Sequence, residues 1–499
     1  MAWGSDSSRQ RLDGLHFTVR HPNGALSTGG ALAINAAPKC PSELETNCMI
    51  PAPRGDVGIP GVAPKPTRAR HVVMLFAITL AVITYIDRVC ISQAAPEIRR
   101  ELGLNAREMG WVFSAFTLAY ALFEIPAGRM GDRYGPRRVL MKVVVLWSFF
   151  TAATGWAWNL GSILVCRFLF GVGEAGCFPN LTKVFTIWMP SAERVRAQGV
   201  LWLSARWGGA FTPALVALVL LFVNWRWAFG LFGLLGIVWA ALFFRWYRDN
   251  PREHRSVNPM ELALLDGAER NAPGHSEVPW GRMLRSGTVW LLWLQYFCMS
   301  WGWYFYITWL PTYLRDARGV ELAKSALLAG LPLFFGGIGC FVGGWLARIL
   351  SEAWNNVARA RRMVAFAGLI AAGLMLVLAT RIESPVLAMF ALGLASFSND
   401  LAMASGWGAC MDVGGRHAGA VSGSMNMMGN LGGAVGAVVV GYILEAGKIS
   451  ADALPAPERW TLAFLLAAAI YGIGAISWLF IDPVTPLENA ESSDEPKEP

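Results

Sequence analysis

From His71 to Ile481 the chain is a succession of apolar runs, each near the length of about 20 residues that a helix needs to cross the hydrocarbon of a bilayer. In lipid every backbone N–H and C=O must be satisfied internally, which a helix does within one segment. Runs are read at 72–94, 109–128, 139–158, 161–189, 198–221 and 226–247, then at 288–314, 325–349, 363–381, 385–410, 418–445 and 459–481. Only 15% of the 499 residues are charged, which excludes a soluble globular fold. The fold expected is an all-α integral membrane protein with twelve transmembrane helices.

The polar stretch after the sixth run divides these into two sets of six. The organisation expected is a disordered N-terminal tail over 1–70, a six-helix bundle over 71–247, a central loop over 248–287, a second bundle over 288–481 and a polar tail over 482–499. Six plus six suggests two pseudo-repeated bundles around a central cavity. Residues 1–70 lack periodicity and the apolar core of a signal peptide. They are read either as a tail or as lying upstream of a true start such as Met49.

Arg68, Arg70 and His71, then Arg129 to Arg138, Arg194 and Arg196, and Arg359 to Arg362 all fall on one side of the spans. The positive-inside rule makes that side the cytoplasm. Both termini are therefore expected there, with the chain in the inner (plasma) membrane. The net charge of +8 is scattered through short loops, so nucleic acid is not an expected partner. The eight cysteines show no CxxC spacing, and HExxH and Ser/His/Asp settings are missing. No metal, cofactor or enzymatic activity is expected.

Charges cost several kcal/mol in hydrocarbon and mark transport pathways. Asp87, in Tyr85-Ile86-Asp87-Arg88, and Glu174, in Gly173-Glu174-Ala175-Gly176, lie inside spans one and four. Arg167 precedes Glu174 by seven residues and shares its helix face. Its depth also allows a pair with Asp87. With all groups ionised, Asp87 and Glu174 against Arg88, Arg167 and Arg206 leave one net positive charge; protonating both acids leaves three. An organic anion then binds better after protonation. Arg206 either holds a second anionic group of the substrate or neutralises Glu124 or Glu174. Tyr304 in the aromatic span seven, and Asn426 with Asn430 at i, i+4, are candidate contacts. Asp400 is either a third acid or a partner of Arg348 or a helix cap.

The loop Gly128-Arg-Met-Gly-Asp132-Arg133-Tyr-Gly135-Pro-Arg137-Arg138 resembles the GxxxDRxGxRR signature of the major facilitator superfamily. The resemblance implies that Gly128, Asp132, Arg133, Gly135, Arg137 and Arg138 form a conformational latch during alternating access. The matching loop near Gly344 to Arg348 is degenerate. The Tyr85–Arg88 and Arg167–Lys183 segments, with Asn426-Met-Met-Gly429-Asn430-Leu-Gly432-Gly433, are similar to the anion:cation symporter branch, which includes galactonate, glucarate and hexuronate carriers and sialin. By position this implies proton coupling at Asp87 and Glu174, assistance from Arg88 and Arg167, and substrate contact at Tyr85. Arg206 departs from the neutral glutamine of the galactonate carriers, which tilts the reading toward a dianion.

The function expected is a monomeric, proton-coupled symporter of a small organic anion, a sugar acid such as a hexonate, hexuronate or aldarate. The alternatives are Na+ coupling, exchange of another carboxylate such as tartrate or phthalate, or a transporter-like receptor.

Overall fold

The computed structural model describes residues 65–269, 280–449 and 456–487. Most of the two expected tails, and Met49, lie outside these residues. The described chain is helical, and its helices are α1 (Ala69–Leu102), α2 (Ala106–Tyr134), α3 (Pro136–Thr154), α4 (Leu160–Glu174), α5 (Cys177–Trp188), α6 (Ser191–Leu220), α7 (Trp225–Trp246), α8 (Pro259–Glu269), α9 (Trp280–Arg285), α10 (Gly287–Thr308), α11 (Leu310–Asp316), α12 (Leu322–Trp354), α13 (Val357–Arg381), α14 (Pro385–Gly414), α15 (Ala418–Ile449) and α16 (Ala456–Phe480).

Among the described residues ten helical stretches meet the length and apolarity that a crossing requires. The other two crossings are α3, whose first half carries Arg137, Arg138 and Lys142, and α10 with α11, where Trp and Tyr lower the apolarity. Twelve crossings result, in two six-helix bundles. α1 begins and α16 ends on the same side, called the near face below; the opposite side is the far face.

Two crossings are broken where the sequence reading has continuous spans. α4 stops at Glu174 and α5 starts at Cys177. Pro179 has no N–H for the Ala175 carbonyl four residues earlier, so the helical ladder loses a bond at that point. The break between α10 and α11 has the same cause, with Pro311 facing the carbonyl of Ile307. The central loop also contains structure. Glu261 of α8 is buried and accepts from the Ala69 and Arg70 amides at 3.2 and 3.1 Å. A carboxylate at the first turn of α1 satisfies orphan donors and complements the helix dipole.

The bundles meet at the far face. Arg315 of α11 pairs with Glu97 of α1 at 3.0 Å, and Arg99 with Asp316 at 3.6 Å. The Ala106 amide donates to Glu445 at 3.1 Å, and Arg107 lies over Tyr442 at 5.3 Å. At the near face Arg70–Glu193 and Arg361–Asp412 each stay inside one bundle.

The near-face loop between α2 and α3 turns at Gly135, with φ +81°. The Arg137 amide donates to Asp249 at 2.9 Å, capping α3, and a Cβ on Gly135 would sit 2.6 Å from the second Asp249 oxygen. Burial raises the Asp249 carboxyl above the ordinary range, against the opposing pull of that amide and of Arg137 and Arg138. Gly135→Ala is expected to cost about 1–3 kcal/mol of stability, read as a lower unfolding temperature in detergent.

Candidate functional site

Between the bundles, at mid-depth, lies a cavity of about 60 Å³. Tyr85 and Arg88 of α1, Tyr120 of α2 and Arg206 of α6 line it from the first bundle. From the second come Tyr296, Trp303 and Tyr304 of α10, Asn399 and Asp400 of α14, and Asn426 and Asn430 of α15. The structure thus brings six predicted residues, Tyr85, Arg88, Arg206, Tyr304, Asn426 and Asn430, to one lining.

Arg88 forms a buried ion pair with Glu174. The break after α4 puts this carboxylate where two helix segments meet, and Glu174 itself is fully buried behind the lining. The Arg88 guanidinium lies over Tyr85, Phe116, Tyr120 and Phe178, at 5.4, 5.3, 4.9 and 5.7 Å. Ring faces attract cations, most strongly away from water. Its Nη2 has no hydrogen-bond partner.

Asp87 points away from the cavity. Its Oδ2 accepts from the Trp147 indole at 3.2 Å, and its Oδ1 has no partner. No ion pair joins Asp87 to Arg167, although their shared depth allows one. Arg167 instead lies over Phe170 at 4.1 Å, and its Nε and Nη1 are unpartnered. Arg167 therefore sits behind the lining with Asp87, near enough to Asp87 and Glu174 for their charges to act on it.

Arg206 pairs with neither Glu124 nor Glu174. Its Nη2 stands 3.1 Å from Asp400 Oδ2, and its guanidinium lies over Trp303 at 4.9 Å. Asp400 also accepts from Asn399 at 2.9 Å. Arg348, one of the partners left open for Asp400, bonds Glu352 at 2.8 Å instead. Glu124 accepts from Asn426 of the other bundle at 2.6 Å, and the Tyr304 hydroxyl donates to Asn430 at 2.6 Å. The charge accounting changes accordingly. Asp87, Glu124, Glu174 and Asp400 are all buried alongside Arg88, Arg167 and Arg206. Fully ionised, the interior carries one net negative charge, where the sequence accounting has one positive.

Of the expected latch residues, Arg137 bonds the Phe244 carbonyl at 3.2 and 2.6 Å, within its own bundle. Arg133 and Arg138 are exposed, and Gly128 packs on Pro179. The Asp132 side chain lies outside the described residues. Asn180 went unnoticed in the sequence: its amide donates to the carbonyls of Ala127 and Gly176 at 3.3 and 2.7 Å, tying α5 to α2. Trp147 was also missed, because one indole among 23 tryptophans carries no signal until Asp87 is seen beside it.

Twelve crossings in two bundles around a cavity lined by paired charges define a secondary transporter. A family model described as Major Facilitator Superfamily matches residues 77–437, and the chain belongs to that superfamily. It is 36% identical over 427 residues to a probable sulfoacetate transporter of Cupriavidus necator, covering 85% of this chain and 96% of that one. It is 28% identical over 441 residues to a probable L-galactonate transporter of Escherichia coli, covering 87% and 95%. Among solved structures, a bacterial homolog of the human lysosomal transporter Spinster, in an inward-facing conformation, matches with a TM-score of 0.65 at 21% identity, covering 83% and 98%. The protein is a multi-pass membrane transporter, not an enzyme.

Proposed function

We propose that the protein is a proton-coupled symporter of the inner membrane that imports a short organic dianion, a carboxylate carrying a sulfonate or a second carboxylate. The observation that carries this reading is the pair of guanidiniums, Arg88 and Arg206, lining one cavity of about 60 Å³. Guanidinium forks match planar carboxylates and tetrahedral oxyanions alike. The relative named for sulfoacetate, whose molecule joins these two groups across one carbon, agrees with that chemistry.

Proton coupling rests on Asp87 and Glu174, two buried carboxylates behind the lining. An interior that is net negative when ionised repels a dianion, and each proton taken up reverses part of that cost. One pH unit then supplies about 1.4 kcal/mol per proton. The positive-inside pattern of arginines supports cytoplasmic termini, and with that orientation the far-face seal makes this conformation inward-facing.

The test is uptake into proteoliposomes under an inward proton gradient, with sulfoacetate, tartrate, galactonate and glucuronate compared. Sulfoacetate is expected to accumulate, and Glu174→Gln to abolish the gradient-driven part. Gradient-independent uptake that survives Glu174→Gln would make the protein a facilitator or exchanger. Preference for galactonate over sulfoacetate would return the substrate to the hexonates.

A further inference from the structure

We propose that Asp400 is a third coupling carboxylate, held by Arg206 across the two bundles and released to a proton when a substrate anion takes the guanidinium. The inference rests on the transport reading above and adds a residue and a stoichiometry to it.

The two cavity arginines differ in where their partners sit. Arg88 and Glu174 belong to the same bundle, so rocking of one bundle against the other leaves that pair intact. Arg206 lies on α6 of the first bundle and Asp400 on α14 of the second. Their contact exists only while the bundles are close at this depth. It is also poorly made: the 3.1 Å approach lacks hydrogen-bond geometry, so Asp400 Oδ2 and Arg206 Nη1 are both buried without a hydrogen-bond partner. Both residues line the cavity. An incoming oxyanion therefore meets a guanidinium with free donors, held by a carboxylate that a better acceptor can replace.

Displacement alone would leave Asp400 ionised beside a bound anion, with no cation of its own. The groups facing it are Arg206 of α6, Asn399 on its own helix, Cys340 of α12, Tyr296 and Tyr306 of α10, Tyr471 of α16 and Tyr85 of α1. Arg206 is the one cation in this set. Once Arg206 turns to the substrate, Asp400 takes a proton from the aqueous side through which the anion entered, and its carboxyl becomes a neutral hydrogen-bond donor. On release the anion leaves Arg206, the proton leaves Asp400 to the same side, and the ion pair reforms. Charge balances at each step: one proton gained for one pair broken. With Asp87 and Glu174 also protonated, a dianion travels with three protons and carries one net positive charge inward. The accumulation ratio then responds to membrane potential by about 50-fold per 100 mV.

The test counts protons. Purified full-length protein in weakly buffered detergent solution is mixed with sulfoacetate, and proton uptake per bound anion is followed with a pH dye between pH 5.5 and 8. Asp400→Asn is expected to bind the anion with one proton fewer, and its affinity should fall with rising pH by tenfold less per pH unit than that of the wild type. In proteoliposomes the same variant should lose the response to an interior-negative potaßsium diffusion potential. Because Asp400→Asn leaves Arg206 without its carboxylate, the charge-neutral pair Arg206→Gln with Asp400→Asn is measured beside it. That protein should also take up one proton fewer, and should lose preference for sulfoacetate over the monoanion galactonate. Equal proton counts in wild type and Asp400→Asn would overturn the proposal while leaving the transport reading standing. If sulfoacetate fails to bind but galactonate binds, the count is taken with galactonate, and an unchanged count there overturns it equally. Binding of neither acid to the wild type would sink the substrate reading and this inference with it.

Discussion

An Arg88→Ala protein is expected to be inactive in uptake and less stable by about 3–5 kcal/mol. The stability loss follows from Glu174, which is fully buried and, among the described residues, forms its ion pair with Arg88. Removing one member of a buried pair leaves an uncompensated charge, and that penalty exceeds the net worth of the pair itself. The loss of uptake has a separate origin in the unpartnered Nη2 at the cavity, which is free to bind an anion. Two further variants separate these effects. Arg88→Ala combined with Glu174→Gln should regain most of the stability, because no buried charge is stranded, yet remain inactive. Arg88→Lys keeps the charge but loses the planar fork and its stacking on four rings, so uptake should fall by roughly 10- to 100-fold, about 1.4–2.8 kcal/mol. Unfolding in detergent and initial rates of uptake check both. Wild-type uptake by Arg88→Ala would remove the residue from the substrate path.

The sequence made the membrane class and the twelve crossings legible because both depend on segment length and apolarity, which a linear reading measures directly. It also picked out Tyr85, Arg88, Arg206, Tyr304, Asn426 and Asn430, which the fold brings to one cavity. Partner choice was less accessible. Asp400 stood out as an acid inside an apolar run, but depth alone left it as a third acid or as a partner of Arg348 in the same bundle or of a helix cap. The structure pairs it with Arg206 of the other bundle, since tilt and rotation about each helix axis decide which residues meet, and packing rather than period sets those. Arg167 and Asp87 illustrate the same limit: they share a depth, yet an indole from α3 takes the carboxylate. The two helix breaks were legible in principle from Pro179 and Pro311. Proline also sits inside continuous helices here, at Pro96, Pro126, Pro213 and Pro332, so its presence alone does not locate a break.

Gly110→Trp is expected to reduce uptake to less than about a hundredth of wild type while leaving anion binding intact. Gly110 starts the close approach of α2 to α15: a Cβ there would lie 2.7 Å from the Ala437 carbonyl oxygen and 3.3 Å from Val438 Cα. Both contacts are backbone, so no side chain can swing aside, and an indole must hold the two helices apart at the far face. The ion pairs around it cannot resist. Glu97–Arg315 is about one-quarter exposed on each side, and in Arg99–Asp316 the carboxylate is about half exposed; such pairs contribute at most about 1 kcal/mol, a factor of roughly five in a conformational equilibrium. Glu97→Gln should accordingly shift the balance of states only modestly. Steric overlap with backbone costs several times more and removes the sealed state altogether. Spin labels at Arg100 and Glu321, exposed on the far-face ends of α1 and α12, should show a longer and single distance in Gly110→Trp, against a shorter or mixed distribution in the wild type. Since Gly110 lies outside the cavity lining, the anion still binds from the far side but cannot be carried through. A variant that transports normally with the seal held open would mean that closure of α2 on α15 is no step of the cycle.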